Sequence, residues 1–214
     1  MFLRLIRALD GILAGIAFLT LLTLFPTLTG KSIGSAHVFF TLGAAWVAWC
    51  ANRLPIEFRG LPNWRRHVVY LRWASMAAFG LSPFVHWWLR APEGFYLFIN
   101  AVICIIAAII VLFQLNFIVF ELARLASHGG LEIEARMARH AALYVSLVCL
   151  LAVILVAAAL GGRGVGLDTF LLMRSLPIPV LYVPLLPVVL TMTLVARIRQ
   201  PLEEMFHAVA QDRS

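Results

Sequence analysis

The chain has 214 residues, of which 63% are hydrophobic and only 13% are charged, and its mean hydropathy is +0.96. A water-soluble domain carries about 25% charged residues, so this composition excludes an ordinary soluble globule. The net charge of +7 comes almost entirely from arginine, because Lys31 is the only lysine. Arginine in such a chain is expected at lipid headgroups, and no separate basic domain is present that could bind nucleic acid.

Six apolar blocks follow one another, and each approaches the roughly 20 residues that a membrane-spanning helix needs. They cover residues 11–28, 37–51, 68–89, 95–122, 141–160 and 176–196. The predicted fold is therefore an all-α polytopic membrane protein, a six-transmembrane-helix bundle over residues 1–200 with both termini cytoplasmic. The first block is too long for a signal peptide, so we interpret it as a retained span. The second block is short, and a re-entrant segment is its alternative.

The basic residues favour this topology. With six spans and cytoplasmic termini, thirteen of the seventeen lie on the cytoplasmic side, as the positive-inside rule requires. The four exceptions are Lys31, Arg90, Arg163 and Arg174. Six tryptophans lie near predicted span ends, where amphipathic rings favour the interface, namely Trp46, Trp49, Trp64, Trp73, Trp87 and Trp88. Together with the preference for arginine over lysine, the pattern predicts a multi-pass protein of a bacterial inner membrane.

Gly11 and Gly15 form a GxxxG pattern in the first span. Small residues at this spacing allow two helices to approach closely. The pattern predicts a close helix contact, either within the chain or between two chains.

Two neighbouring spans each carry a stripe of polar side chains. The third span contributes Arg72, Ser75, Ser82 and His86, and the fourth contributes Asn100, Gln114 and Glu121. Five residues separate the spans, which predicts antiparallel neighbours. Folding the hairpin about residue 93 brings Arg72 level with Gln114, and it also brings His86 level with Asn100. We interpret the stripes as hydrogen bonds between helices, and a polar path or ligand site between these spans is the alternative.

The first half of the sixth block contains four prolines, Pro177, Pro179, Pro184 and Pro187. Each proline lacks an N–H donor and clashes with the preceding helical turn, so this half is predicted to be kinked or partly unwound. A kinked packing helix is our first interpretation. A discontinuous helix of the kind that forms transporter sites is the alternative.

Pro201 is predicted to begin a short amphipathic cytoplasmic helix over residues 201–214. One face of this helix is apolar and carries Leu202, Met205, Phe206 and Val209. A helix that lies on the inner leaflet or folds under the bundle is the first interpretation. The alternative is a docking helix for another membrane subunit.

The sequence contains no catalytic motif that we can interpret, and its three cysteines lack the spacing of a metal site. We predict no cofactor and no metal. The predicted function is that of a non-enzymatic accessory or assembly subunit of a membrane complex. A small carrier or channel is the alternative. A haem-binding membrane cytochrome with His37 and His86 as ligands is a weaker one, because Trp87 and Trp88 occupy the adjacent positions.

Overall fold

The computed structural model describes residues 2–29, 36–58, 61, 63–91, 93–126, 129–159 and 183–211. Side chains are not described at residues 2, 23–29, 36–37, 89, 149, 152–159, 184 and 205–211. All regular secondary structure in the described ranges is helical, and no strand occurs there. The prediction of an all-α chain is therefore confirmed for these residues.

Six α-helices and one 3₁₀ helix make up the described part of the chain. In order they are α1 Phe2–Thr29, α2 Ala36–Arg53, α3 Trp64–Arg90, α4 Phe95–Leu125, α5 Gly129–Ala159, the 3₁₀ helix Val183–Leu185, and α6 Leu186–Gln211. Among the described residues, three segments are long and apolar enough to cross a membrane, Leu3–Leu22, Trp64–Trp88 and Phe95–Leu125. The structure thus supports a helical protein with membrane-compatible spans.

The proline-rich block and the C-terminal helix differ from the expectation. Pro184 lies in the 3₁₀ helix, and Pro187 lies in the first turn of α6, where a missing N–H costs no intrahelical hydrogen bond. Pro177 and Pro179 lie outside the described residues. Pro201 lies inside α6, so the helix expected to begin there is the second half of one continuous helix.

Charged residues gather at one end of the bundle, which we call the charged end. Arg199 of α6 lies 3.7 Å from Asp10 of α1, and Arg197 of α6 forms an ion pair with Glu134 of α5. Consecutive helices from α1 to α5 pack against each other as neighbours. Therefore α1, α3 and α5 begin at the charged end, and α2, α4 and α6 run towards it.

The hydrophobic core lies mainly in the half of the bundle nearest the charged end. All six α-helices contribute buried residues to it, and its largest fully buried side chains include Leu5, Ile12, Leu54, Trp64, Leu71, Leu115, Ile118, Leu122, Ile198 and Leu202. A smaller cluster of Trp88, Phe98 and Ala101 lies where α3 and α4 meet at the opposite end. The burial of Trp64 corrects the expectation of an interfacial ring. Its indole Nε1 donates to the Pro55 carbonyl at 2.7 Å, so the segment between α2 and α3 covers it.

The GxxxG glycines of α1 form a notch that α2 fills. A Cβ on Gly11 would lie 2.5 Å from the Cys50 sulfur, and one on Gly15 would lie 2.7 Å from a Val47 methyl group. The Trp46 indole Nε1 also donates to the Gly11 carbonyl at 2.9 Å. The small residues therefore serve a contact within the chain, because only glycine leaves room for α2 at this distance.

Candidate functional site

The polar stripes lie on α3 and α4, which pack together more extensively than any other pair of helices in the described part. The register of α3 against α4 differs from the one predicted by folding the hairpin about residue 93. The Cys104 thiol donates to the Ala78 carbonyl at 3.5 Å, and His67 Nδ1 lies 2.7 Å from Gln114 Oε1. Both α3 partners lie about one turn nearer the charged end than a fold about residue 93 requires. A reflection about one residue ignores the inclination between packed helices, which is commonly about 20° or more.

Two members of the stripes bond to backbone carbonyls of their own helix. Ser82 is buried and donates to the Phe79 carbonyl at 2.8 Å, and Asn100 Nδ2 donates to the Tyr96 carbonyl at 2.8 Å. Both contacts are one helical turn long. Such bonds return the polar group to its own backbone, which lowers the cost of placing it in an apolar layer.

Arg72 does not reach Gln114. Its Nη2 atom donates to the Leu54 carbonyl at 2.5 Å, where α2 has just ended. The guanidinium therefore joins the start of α3 to the end of α2. Its Nε atom is buried and has no hydrogen-bond partner among the residues that the structure describes. His86, the remaining α3 member, is half-buried near the opposite end of that helix.

An aromatic and basic cluster connects α3, α4 and α5 near the charged end. The His67 ring stacks on Phe117 with ring centres 3.8 Å apart, while its Nδ1 donates to Gln114. The Arg139 guanidinium lies 4.8 Å from the centre of the same Phe117 ring and 5.4 Å from that of Phe120. Phe117 thus contacts an imidazole from α3 and a guanidinium from α5. Cation–π contacts of this kind hold basic groups in place without neutralising them.

Glu121 is the one acid in the two stripes, and it is buried, with only 5% of its surface exposed. Among the described residues, no group forms a hydrogen bond or ion pair with its carboxylate. It follows Gln114 by two turns on the same face of α4, so it lies beyond His67 and near the start of α3. At this position, the partial positive charge at the start of α3 is able to stabilise the Glu121 carboxylate.

A buried polar contact between α4 and α6 was missed by the sequence interpretation. Asn116 and Thr191 are both fully buried, and Asn116 Nδ2 donates to Thr191 Oγ1 at 2.7 Å. Thr191 in turn donates to the Pro187 carbonyl at 2.7 Å. Asn116 lies on a different face of α4 from Gln114, so it belongs to neither polar stripe. The residue type alone indicates a contact, because a single amide side chain inside an apolar span needs a hydrogen-bond partner.

A cleft of about 850 Å³ opens at the charged end between the start of α5 and the second half of α6. Gly129, Glu134, Arg197, Gln200 and Glu204 line it. Its charges are exposed and already paired in part, since Arg197 contacts Glu134. Nearby, the hydrogen bond that Arg199 donates to Glu203 and then the charge of Asp10 raise the pKa of the Arg199 guanidinium.

The predicted docking face of the C-terminal helix is described at only one residue. Leu202 is fully buried in the main core. The side chains of Met205, Phe206 and Val209 lie outside the described residues. The start of this face therefore belongs to the bundle itself.

The described part of the chain includes some of the candidate ligands for a metal ion and for a haem. No group of three histidine, cysteine, aspartate or glutamate side chains is close enough there to hold a metal ion. The side chain of His37, the predicted partner of His86, lies outside the described residues.

No known protein family, curated protein or solved structure matches this chain.

Proposed function

We propose that this chain is a six-span protein of a bacterial inner membrane, with both termini in the cytoplasm. In this proposal it serves as a non-enzymatic accessory or assembly subunit of a membrane complex. The charged end then faces the cytoplasm, and the second half of α6 together with the start of α5 forms a surface there for other subunits.

The apolar outer surface supports the membrane assignment. Large apolar side chains are exposed along the helices, among them Trp73 at 74%, Tyr96 at 67% and Leu21 at 66%. A soluble monomer rarely exposes contiguous apolar surface on this scale, whereas hydrocarbon tails solvate it without cost. Helix lengths agree, because the 31 residues of α4 extend about 46 Å against a hydrocarbon core of about 30 Å.

The hydrogen bonds that the stripe residues form within the protein support a structural subunit rather than a carrier. Ser82, Asn100, Gln114 and Arg72 each donate to or accept from a protein group, at distances between 2.5 and 2.8 Å. A transport path needs polar groups that are free to bind a solute or water. Polar groups that bond to their own helix or to a neighbouring one are instead typical of a bundle held in one arrangement.

Native gel electrophoresis of membranes solubilised in a mild detergent tests the proposal. We expect the full chain to migrate in a complex well above its own 23.8 kDa, and carbonate washing to leave it in the membrane. Replacing Phe206 and Val209 together by serine should release the free chain, because the sequence places both on the apolar face that is proposed to bind another subunit.

The matched control replaces Thr193, an exposed residue of α6 that bonds to the Val189 carbonyl at 2.9 Å, by serine. This change should leave the complex intact. A wild-type chain that migrates only as a monomer would contradict the proposed role as a subunit.

A further inference from the structure

The face of α4 between α3 and α5 is partly exposed, and we call this strip of α4, with the two helices that border it, the groove. His67 of α3 and Arg139 of α5 both border Phe117, so the face of α4 that carries Phe117 is the floor between these two helices. Ile103 and Ile110 lie on this face at helical spacing from Phe117 and are 45% and 40% exposed. The floor is therefore apolar, and it ends in basic groups near the charged end.

The basic groups at the end of the groove stand at headgroup level. Arg139 precedes the apolar block 141–160 by two residues, and His67 immediately precedes the block 68–89. In the proposed topology, both lie at the cytoplasmic edge of the hydrocarbon, where the phospholipid headgroups begin. Phe117 and Phe120 hold the Arg139 guanidinium through its aromatic contacts and fix it beside the floor.

The positive charge at this place is not neutralised by the protein. The nearby Glu132 pairs with Arg136 at 3.1 Å, and no carboxylate of the described residues lies within ion-pair distance of Arg139. A guanidinium that is fixed at an interface and lacks an acid partner presents its N–H groups to an anion, and phosphate oxygens match that geometry.

We propose that this groove binds one anionic phospholipid, with its phosphate between Arg139 and His67 and an acyl chain along Ile110 and Ile103. The proposal rests on the proposed function, because it requires α3, α4 and α5 to span the bilayer. Basic pockets between spans on the cytoplasmic side are a recognised form of lipid site. The groove also has an apolar floor that runs along α4 from the basic groups. A phospholipid acyl chain would contact this floor, whereas a free phosphate ion would not.

Lipid binding to the purified full chain in neutral detergent tests the site. We would titrate phosphatidylglycerol, phosphatidylcholine and soluble glycerol phosphate separately and count bound molecules by native mass spectrometry. We expect phosphatidylglycerol to bind more tightly than phosphatidylcholine, and Arg139→Gln to weaken it about fivefold, the effect of one basic residue at a membrane surface. Arg139→Lys keeps the charge and should retain most of the binding.

The matched control is Arg90→Gln, an exposed arginine at the far end of α3, which should leave phosphatidylglycerol binding unchanged. Equal binding of the two lipids by the wild-type chain would overturn the proposal. Glycerol phosphate that binds as tightly as phosphatidylglycerol would assign the site to a free phosphate and would also overturn it. Carbonate washing separates the two proposals, since release of the chain from the membrane contradicts the spanning topology itself.

Discussion

At the scale of single residues, the glycines of α1 show how strongly one methyl group affects this bundle. Gly11 and Gly80 are both helical glycines, but their surroundings are opposite. A Cβ on Gly11 would lie 2.5 Å from the Cys50 sulfur, whereas one on Gly80 would meet nothing within 4 Å. The same substitution should therefore have opposite effects at the two positions.

Gly11→Ala should lower the free energy of unfolding by about 1 to 3 kcal/mol, because α2 must move away and the Trp46 hydrogen bond is lost. Gly80→Ala should leave stability unchanged or raise it by up to about 1 kcal/mol, since alanine favours a helix. Unfolding by a denaturing detergent, followed by circular dichroism, measures both variants. Equal effects at Gly11 and Gly80 would contradict the notch between α1 and α2.

Single residues also show where prediction from the sequence fails. Trp64 was expected at the lipid interface and is instead 1% exposed, because the segment after α2 folds over it and Phe58 packs on its ring at 5.1 Å. His67 lies one residue outside an apolar block, and nothing in its neighbourhood identifies Gln114 as its partner. Burial and pairing depend on which segment covers a residue, and local patterns do not encode that information.

At the scale of helices, the contact between Asn116 and Thr191 joins α4 to the proline-bearing start of α6. Both side chains are fully buried, and Thr191 also bonds to the Pro187 carbonyl. The hydroxyl thus connects α4 to the first turn of α6, where prolines leave the backbone with few donors of its own. The pair therefore fixes where α6 begins relative to α4.

A double-mutant cycle with Asn116→Ala and Thr191→Val measures this connection. We expect a coupling free energy of about 0.6 kcal/mol, the average for hydrogen bonds between membrane helices, and at most about 1.7 kcal/mol. Detergent-induced unfolding of the wild type, the two single variants and the double variant supplies the four values. Additive effects, with no coupling, would mean that the two side chains stabilise the protein independently.

Helices α2, α3 and α4 were predicted well, because apolar blocks and flanking charges are local features, whereas α1 and α5 begin well before their apolar blocks and α6 extends well beyond the sixth block. The blocks 68–89 and 95–122 correspond to α3, Trp64–Arg90, and α4, Phe95–Leu125, within four residues at each end. The candidate site was predicted less well. The stripes identified Gln114 and Arg72 as polar positions, but their partners depend on the inclination of α3 against α4, which no spacing within one helix reveals.

At the scale of the whole molecule, the arrangement of charge and helix direction predicts a definite topology. Residues 65 and 90, near the two ends of α3, are separated by about 38 Å along the helix axis, close to the full thickness of a bilayer. The ion pairs of Arg199 and Arg197 bring the starts of α1 and α5 together with the second half of α6. These segments must then face the same compartment.

Labelling with a membrane-impermeant maleimide tests this topology in a chain whose three native cysteines have been replaced by alanine. Gly129→Cys and Ser214→Cys should react from the cytoplasmic side, and Arg90→Cys should react from the opposite side. Labelling before and after permeabilisation of cells distinguishes the two faces. Reaction of Gly129→Cys and Ser214→Cys from opposite faces would refute the six-span arrangement.

During biosynthesis, α1 and α2 leave the ribosome before the rest of the bundle exists. Their contact at the glycines involves no later helix. Cys50 and Val47 pack against Gly11 and Gly15, and the Trp46 indole donates a hydrogen bond to the Gly11 carbonyl. In the proposed membrane topology, the two helices are therefore able to enter the bilayer as a preassembled hairpin. The later helices then assemble on a surface that already exists.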